Sequence, residues 1–242
     1  MKNPRLTQTF VGLMTLAATA STVYASLTSH TLHASYALAI LALAAATSRM
    51  KIKLPGIDGN MSVNLPFLLM AVVNLSAVEA VFIASVSTVV QCWPKQDGKF
   101  KPEQMLFNVS MMAFAASMAN LIWNAGWLSR AAWASQPLML ALATAAFFLG
   151  QTAPVAGIIR VAEGTAMRRV WLGIVQLSFP YYVVSAGMTS MVNLVSHHFG
   201  WQAALLVFPV MYGIHYSYRL YFVRVADALR TAPLARAASA GV

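Results

Sequence analysis

From Met61 to Trp93 the chain runs for 33 residues with a single charged side chain, Glu79. One α-helix of that length would be about 50 Å long at 1.5 Å per residue, against a bilayer hydrocarbon core of about 30 Å. The stretch therefore either crosses a membrane once with a large excess or turns and crosses twice. Asn74-Leu75-Ser76 offers a polar turn near its middle. The two halves, about Asn60–Leu75 and Ser76–Trp93, would each be about 24–27 Å long as helices. The choice sets the direction of every segment that follows.

The rest of the chain has the same character. Apolar runs recur at about Leu6–Leu27, Ala34–Thr47, Gln104–Leu128, Pro137–Ile158, Val170–Val195 and Trp201–Phe222. Only 9% of the residues are charged, where a soluble domain has about 25%. A polytopic membrane protein is expected. The first run carries a passable small-residue cleavage site at Val23-Tyr24-Ala25, but it is longer than the core of a signal peptide, so an uncleaved span is expected. A net charge of +10 would suit nucleic acid. Here, however, the cations fall in short loops between apolar runs, where anionic lipid accounts for them. No nucleic-acid partner is expected. Cys92 is the one cysteine, which rules out an intrachain disulfide.

Counting cations decides between one crossing and two. Cytoplasmic loops of membrane proteins are enriched in Lys and Arg. With two crossings there are eight spans and both termini lie inside, which places fifteen of the sixteen cations on that side and leaves Arg130 alone outside. With one crossing every later loop flips, and six face in against ten out. The expected fold is thus all-α, a bundle of about eight spans that includes one short helical hairpin over 60–93. Its domains are a transmembrane unit over 1–222 and a short basic cytoplasmic tail over 223–242. The expected location is a membrane, with both termini on its cytoplasmic side.

Polar groups within hydrocarbon cost several kcal/mol unless paired, so they face the bundle interior. Of the amides and acids in the apolar runs, Asn64, Glu79, Gln91 and Asn108 cluster around spans three to five. They are the candidate lining of a ligand cavity, because short, turn-interrupted spans mark binding sites in several membrane proteins. Two structural roles compete with that reading. Buried amides also hold helices together, and Glu79 near a span's N-terminus complements the helix dipole. His30, His33, His197 and His198 all fall in expected outer loops and are weak candidates for a metal or pH-sensing cluster. Asp58 and Asp97 sit beside turn residues and read as turn formers. No G-x-S-x-G, H-E-x-x-H, G-x-x-x-x-G-K-[ST] or G-x-G-x-x-G occurs, so no catalytic residue, cofactor or resident metal is expected.

Several short motifs carry a resemblance. They are K-L-P-G-I-D-G-N-M-S-V-N-L-P-F-L-L (Lys53–Leu69), L-S-A-V-E-A (Leu75–Ala80), V-Q-C-W (Val90–Trp93) and F-N-V-S-M-M-A-F (Phe107–Phe114). Together with the ending Tyr216-Ser217-Tyr218-Arg219-Leu220-Tyr221, they resemble the membrane-associated sensor (MASE-type) regions that precede bacterial signalling domains. In that family the outputs are HD-type phosphohydrolases or diguanylate cyclases acting on cyclic dinucleotides. No HD, GYP or GGDEF output sequence occurs here. The resemblance implies a sensor without catalysis of its own, either acting on a partner or forming the membrane part of a longer parent. Its expected partners are the bilayer and a cytoplasmic cyclase or phosphodiesterase, or a second copy of the chain. The alternative is the substrate-binding subunit of a small-molecule uptake system, which short broken spans and buried amides fit equally well.

Overall fold

Prolines open four of the helices, at positions where a missing N–H leaves no carbonyl unpaired and the ring pre-sets φ. Pro4 is the first residue of α1 (Pro4–Thr28), and Pro66 lies in the first turn of α3 (Leu65–Asn74). Pro102 and Pro137 do the same for α5 (Pro102–Trp123) and α7 (Gln136–Glu163). The other elements are α2 (Ala34–Ser48), a two-stranded ribbon of β1 (Lys51–Lys53) and β2 (Asn60–Ser62), α4 (Ala77–Cys92), the single turn α6 (Gly126–Ser129) and α8 (Met167–Phe199). A 3-10 segment over Gly200–Leu206 leads into the apolar helix α9 (Ala204–Ser217). This computed structural model describes residues 4–28, 34–53, 60–94, 100–130, 135–217, 220 and 224.

Helices dominate the described residues, and four of them (α1, α5 with its continuation to Leu128, α7 and α8) are long and apolar enough to cross a membrane. The shorter apolar helices are α2, α3, α4 and α9. Eight apolar helices thus match the eight expected segments, with one correction. Asn60–Ser62 does not belong to the third helix. It pairs antiparallel with Lys51–Lys53, in the register Lys51↔Ser62, Ile52↔Met61 and Lys53↔Asn60. The reason is local. Pro66 fixes the helix start at Leu65, so the residues before it must satisfy their backbone groups by another route. The hairpin proper is α3–α4, turning at Leu75-Ser76 as expected.

A ladder of side-chain hydrogen bonds fixes the direction of that hairpin. Gln8 Nε2 donates to Glu103 Oε1 (3.2 Å), the Thr15 and Ser110 hydroxyls meet at 3.1 Å, and those of Thr22 and Ser117 meet at 3.2 Å. Each partner on α5 lies 95 residues after its mate on α1. The rungs are seven residues apart, two helical turns, so α1 and α5 run parallel. After α2 comes back from α1, the chain between must return to the end where α1 began. Two passes by α3 and α4 do this, whereas one pass would leave α5 antiparallel to α1. The end where α1 and α5 begin also holds the ribbon and is called the ribbon end below.

Two further boundaries differ from expectation. The loop expected over 159–169 shrinks to a tight turn, because α7 runs on to Glu163 and Gly164 caps it at φ 77°, with its N–H on the Arg160 carbonyl (2.8 Å). The left-handed conformation suits glycine and is strained for other residues. The loop expected over 196–200 is helical through Phe199. His197 and His198 therefore lie on the last turn of α8, not in a loop.

The core forms around α3. Every residue from Leu65 to Val72 is buried, enclosed by α2, α4, α5 and α8. A helix of ten residues, about 15 Å long, is too short to span a bilayer alone and is held by its neighbours. Its junction with α4 is secured by a capping box. The Ser76 hydroxyl receives the Glu79 N–H, and the Glu79 carboxylate receives the Ser76 N–H (3.0 Å) and hydroxyl (2.7 Å). Ser76→Ala is expected to cost about 1 kcal/mol, read as an earlier midpoint in denaturant unfolding from mixed micelles. An unchanged midpoint would show that the turn is held by packing alone.

Candidate functional site

The strand β2 delivers Ser62 to the ribbon end of α4, where it meets three other polar groups. The Ser62 hydroxyl donates to Asn64 Oδ1 (2.6 Å) and also lies 3.2 Å from Gln91 Oε1. Asn64 Nδ2 donates to the Ser87 hydroxyl (3.4 Å), which itself donates to the Ala84 carbonyl (3.0 Å). Ser87 and Gln91 are four residues apart on α4, hence on one face. Asn64 caps α3 by position, yet its side chain makes no capping bond and is spent on this cluster instead. Asn64 is 3% exposed, while Gln91 is half-buried.

From the other side α8 contributes Tyr181. Its hydroxyl accepts the Leu65 N–H (3.1 Å), one of the orphan donors at the start of α3. A little over two turns further on, the buried Thr189 hydroxyl donates to the Pro66 carbonyl (3.3 Å). Tyr181 follows Pro180, which lies inside α8 and breaks its hydrogen-bond ladder at that level. The next residue, Tyr182, packs edge-on against Phe148 and donates to Gln151 Oε1 on α7. Consecutive tyrosines thus tie α8 to α3 on one side and to α7 on the other.

The four expected cavity residues divide. Asn64 and Gln91 come together through Ser62. Asn108 lies beside them at the ribbon end, where its Nδ2 donates to Cys92 Sγ (3.3 Å), linking α5 to α4. Glu79 does not join them. It sits at the opposite end of the hairpin, twelve residues before Gln91 on α4, about 18 Å along the axis, and its carboxylate serves the capping box. Ser62, Ser87 and Tyr181 were not among the expected residues. The spacing of Ser87 and Gln91 was a usable signal for one of them. The contact between Tyr181 and Leu65 spans 116 residues and leaves no local trace.

Chemically the cluster is neutral. It holds amides, hydroxyls and a phenol, with no carboxylate, imidazole or amine to move a proton or hold a cation. It suits recognition by hydrogen bonding. The Ser62 hydroxyl has one proton and two acceptors in reach, and the shorter bond goes to Asn64. Gln91 Oε1 is thus left with spare acceptor capacity at the half-buried edge of the cluster. Among the described residues no group of three or more His, Cys, Asp or Glu is placed to hold a metal. His30 and His33 lie outside the described residues.

No protein-family model, curated protein or solved structure matches the chain. Function is read from the site itself.

Proposed function

We infer that the chain is an integral sensor of the bacterial inner membrane, with eight spans and both termini cytoplasmic, and that it has no catalytic output of its own. In this reading a small or membrane-borne signal with a hydrogen-bond donor engages Gln91 and the buried amide of Asn64. The observation that carries the reading is the Ser62–Asn64–Ser87–Gln91 cluster at the point where the ribbon, α3 and α4 meet. A ligand that competes for Ser62 or Gln91 acts directly on the strand β2, and through its pairing on β1 with Lys51 and Lys53. The ribbon is the element through which occupancy would reach a cytoplasmic cyclase or phosphodiesterase. The motifs similar to MASE-type regions, which take in the strand β2 and the residues Asn64 and Gln91, support the same assignment.

Co-expression with a cyclase or phosphodiesterase tests it. The chain is expected to change the cellular cyclic-dinucleotide level, and Gln91→Ala and Asn64→Leu are expected to abolish that change at equal membrane abundance. A level that ignores the chain altogether overturns the sensor reading. The short α3, buried from Leu65 to Val72, favours one rival, a transport component, because discontinuous helices often frame transported substrates. Uptake of a small molecule into vesicles, lost in Glu79→Gln, would decide for that rival.

A further inference from the structure

Two concavities away from the polar cluster share the side chain of Arg160. One, of about 660 Å³, is a groove along the flank of the bundle, with Gly150, Ala153 and Gly157 of α7 as its floor and Phe10, Phe114 and Met118 among its walls. Its lining is apolar until it reaches Arg160. From Ala146 at one end to Arg160 at the other is 14 residues of α7, about 21 Å, more than the depth of one leaflet at half of about 30 Å. The other concavity, of about 690 Å³, surrounds the α7–α8 turn and is lined by Arg160, Gly164, Thr165, Arg168 and Trp171. The Trp171 ring is fixed by a hydrogen bond from its Nε1 to the Thr152 hydroxyl (3.2 Å).

The charge at this end is unbalanced. Among the described residues neither the Arg160 nor the Arg168 guanidinium has an ion-pair partner. Glu163, the one acid on the turn, is exposed and lines neither concavity. An apolar channel at least one leaflet deep, ending at two free guanidiniums and an indole, matches the parts of one molecule. We propose that the groove and the basic pocket form a single binding site for an anionic phospholipid. An acyl chain lies along α7 between α1 and α5, and the phosphate is held by Arg160 and Arg168, with Trp171 at the level of the glycerol. Guanidinium forks bind phosphate oxygens in pairs, and tryptophan favours the boundary between headgroup and hydrocarbon. A protein helix in the groove would bring no such charge to Arg160 unless it carried its own acid. The proposal requires only that the chain lies in a bilayer, and stands whether or not it senses a signal.

Native mass spectrometry of the purified chain, with dioleoyl phosphatidylglycerol and dioleoyl phosphatidylcholine in competition, tests it. The parent is expected to retain the anionic lipid by about tenfold or more over the zwitterionic one. Arg160→Gln with Arg168→Gln should remove the preference, and the paired change to lysine should keep part of it. Ala153→Phe, which fills the groove, should reduce retention of both lipids, and glycerol 3-phosphate should not compete. Undiminished preference in the double Gln variant overturns the proposal. So does competition by glycerol 3-phosphate as strong as by the lipid, or a parent dimer that Ala153→Phe dissociates. If Ala153→Phe fails to fold, the arginine pair still decides, since both side chains are exposed.

Discussion

Replacing Gly150 by leucine is expected to force α5 and α7 apart, at a cost of about 1–3 kcal/mol and the upper end of that range. A Cβ at Gly150 would lie 3.0 Å from Ala115 Cα and 3.2 Å from its Cβ. The obstacle is backbone and cannot swing away. Close approach through small residues is how helices gain contact in lipid, where no hydrophobic force draws them together. The α5–α7 seam is also the most extensive helix pairing in the fold, so little else can absorb a shift. Gly157 makes the contrast. A Cβ there meets only the tip of the Phe10 ring, at 2.8 Å, and a small swing of that side chain about its Cα–Cβ bond relieves it. Gly150→Leu should unfold well before the parent in mixed micelles, with Gly157→Ala close to the parent. Equal behaviour of the two variants would mean that the seam is not set by backbone approach.

The second large effect is expected at Asn120, which is 1% exposed. Its Nδ2 donates to the carbonyls of Val72 (3.0 Å) and Leu75 (3.4 Å) at the end of α3. The helical partner of the Val72 carbonyl would be the Ser76 N–H, but Ser76 has given that proton to Glu79. Asn120 therefore satisfies an acceptor that the capping box leaves open. Asn120→Leu fills similar space and strands that carbonyl in a dry interior, at about 1–3 kcal/mol. The average for a hydrogen bond between membrane helices is nearer 0.6 kcal/mol, but that figure includes cases where the partner finds another bond, and here Val72 is fully buried. Asn124→Leu is the control. Asn124 only donates to Asn120, to its carbonyl and its Oδ1, so its loss leaves the Val72 bond intact and should cost less. Asn120→Leu matching Asn124→Leu in unfolding midpoint would refute this account.

What could be read from the residues alone was the count and the turning of the apolar segments. Charge placement in the loops and the length of 61–93 pointed to two passes of the chain, and Asn74–Ser76 marked the turn where α3 gives way to α4. The parallel ladder of α1 and α5 agrees with that path. The ribbon was hidden because strands of three residues have no period to detect, and Lys-Ile-Lys and Asn-Met-Ser have no strand signature in an apolar protein. The candidate site was half legible. Asn64 and Gln91 stood out as amides in hydrocarbon, and their meeting follows from the antiparallel hairpin. Glu79 also stood out, but the same hairpin carries it to the far end, and its Ser76 partner three residues earlier was the sign of a cap. Tyr181 and Thr189 had no sign at all, since they meet α3 only through the path of the whole chain.

That last contact bears on how the protein is made. The start of α3 is completed by Tyr181 and Thr189, 116 and 123 residues later in the chain. Phe67 and Leu68 find the Asn64 carbonyl locally, but at a synthesis rate of roughly 5–20 residues per second the Leu65 N–H precedes its Tyr181 partner by several seconds. Ten residues are too few to form an independent span of a bilayer, so in a membrane the segment would lean on α4 or stay near the surface during that interval. The ribbon, whose strands are separated by only a few residues, is ready first and sits just ahead of α3. In the finished fold the ribbon lies on one side of the entry to α3 and α8 closes it from the other.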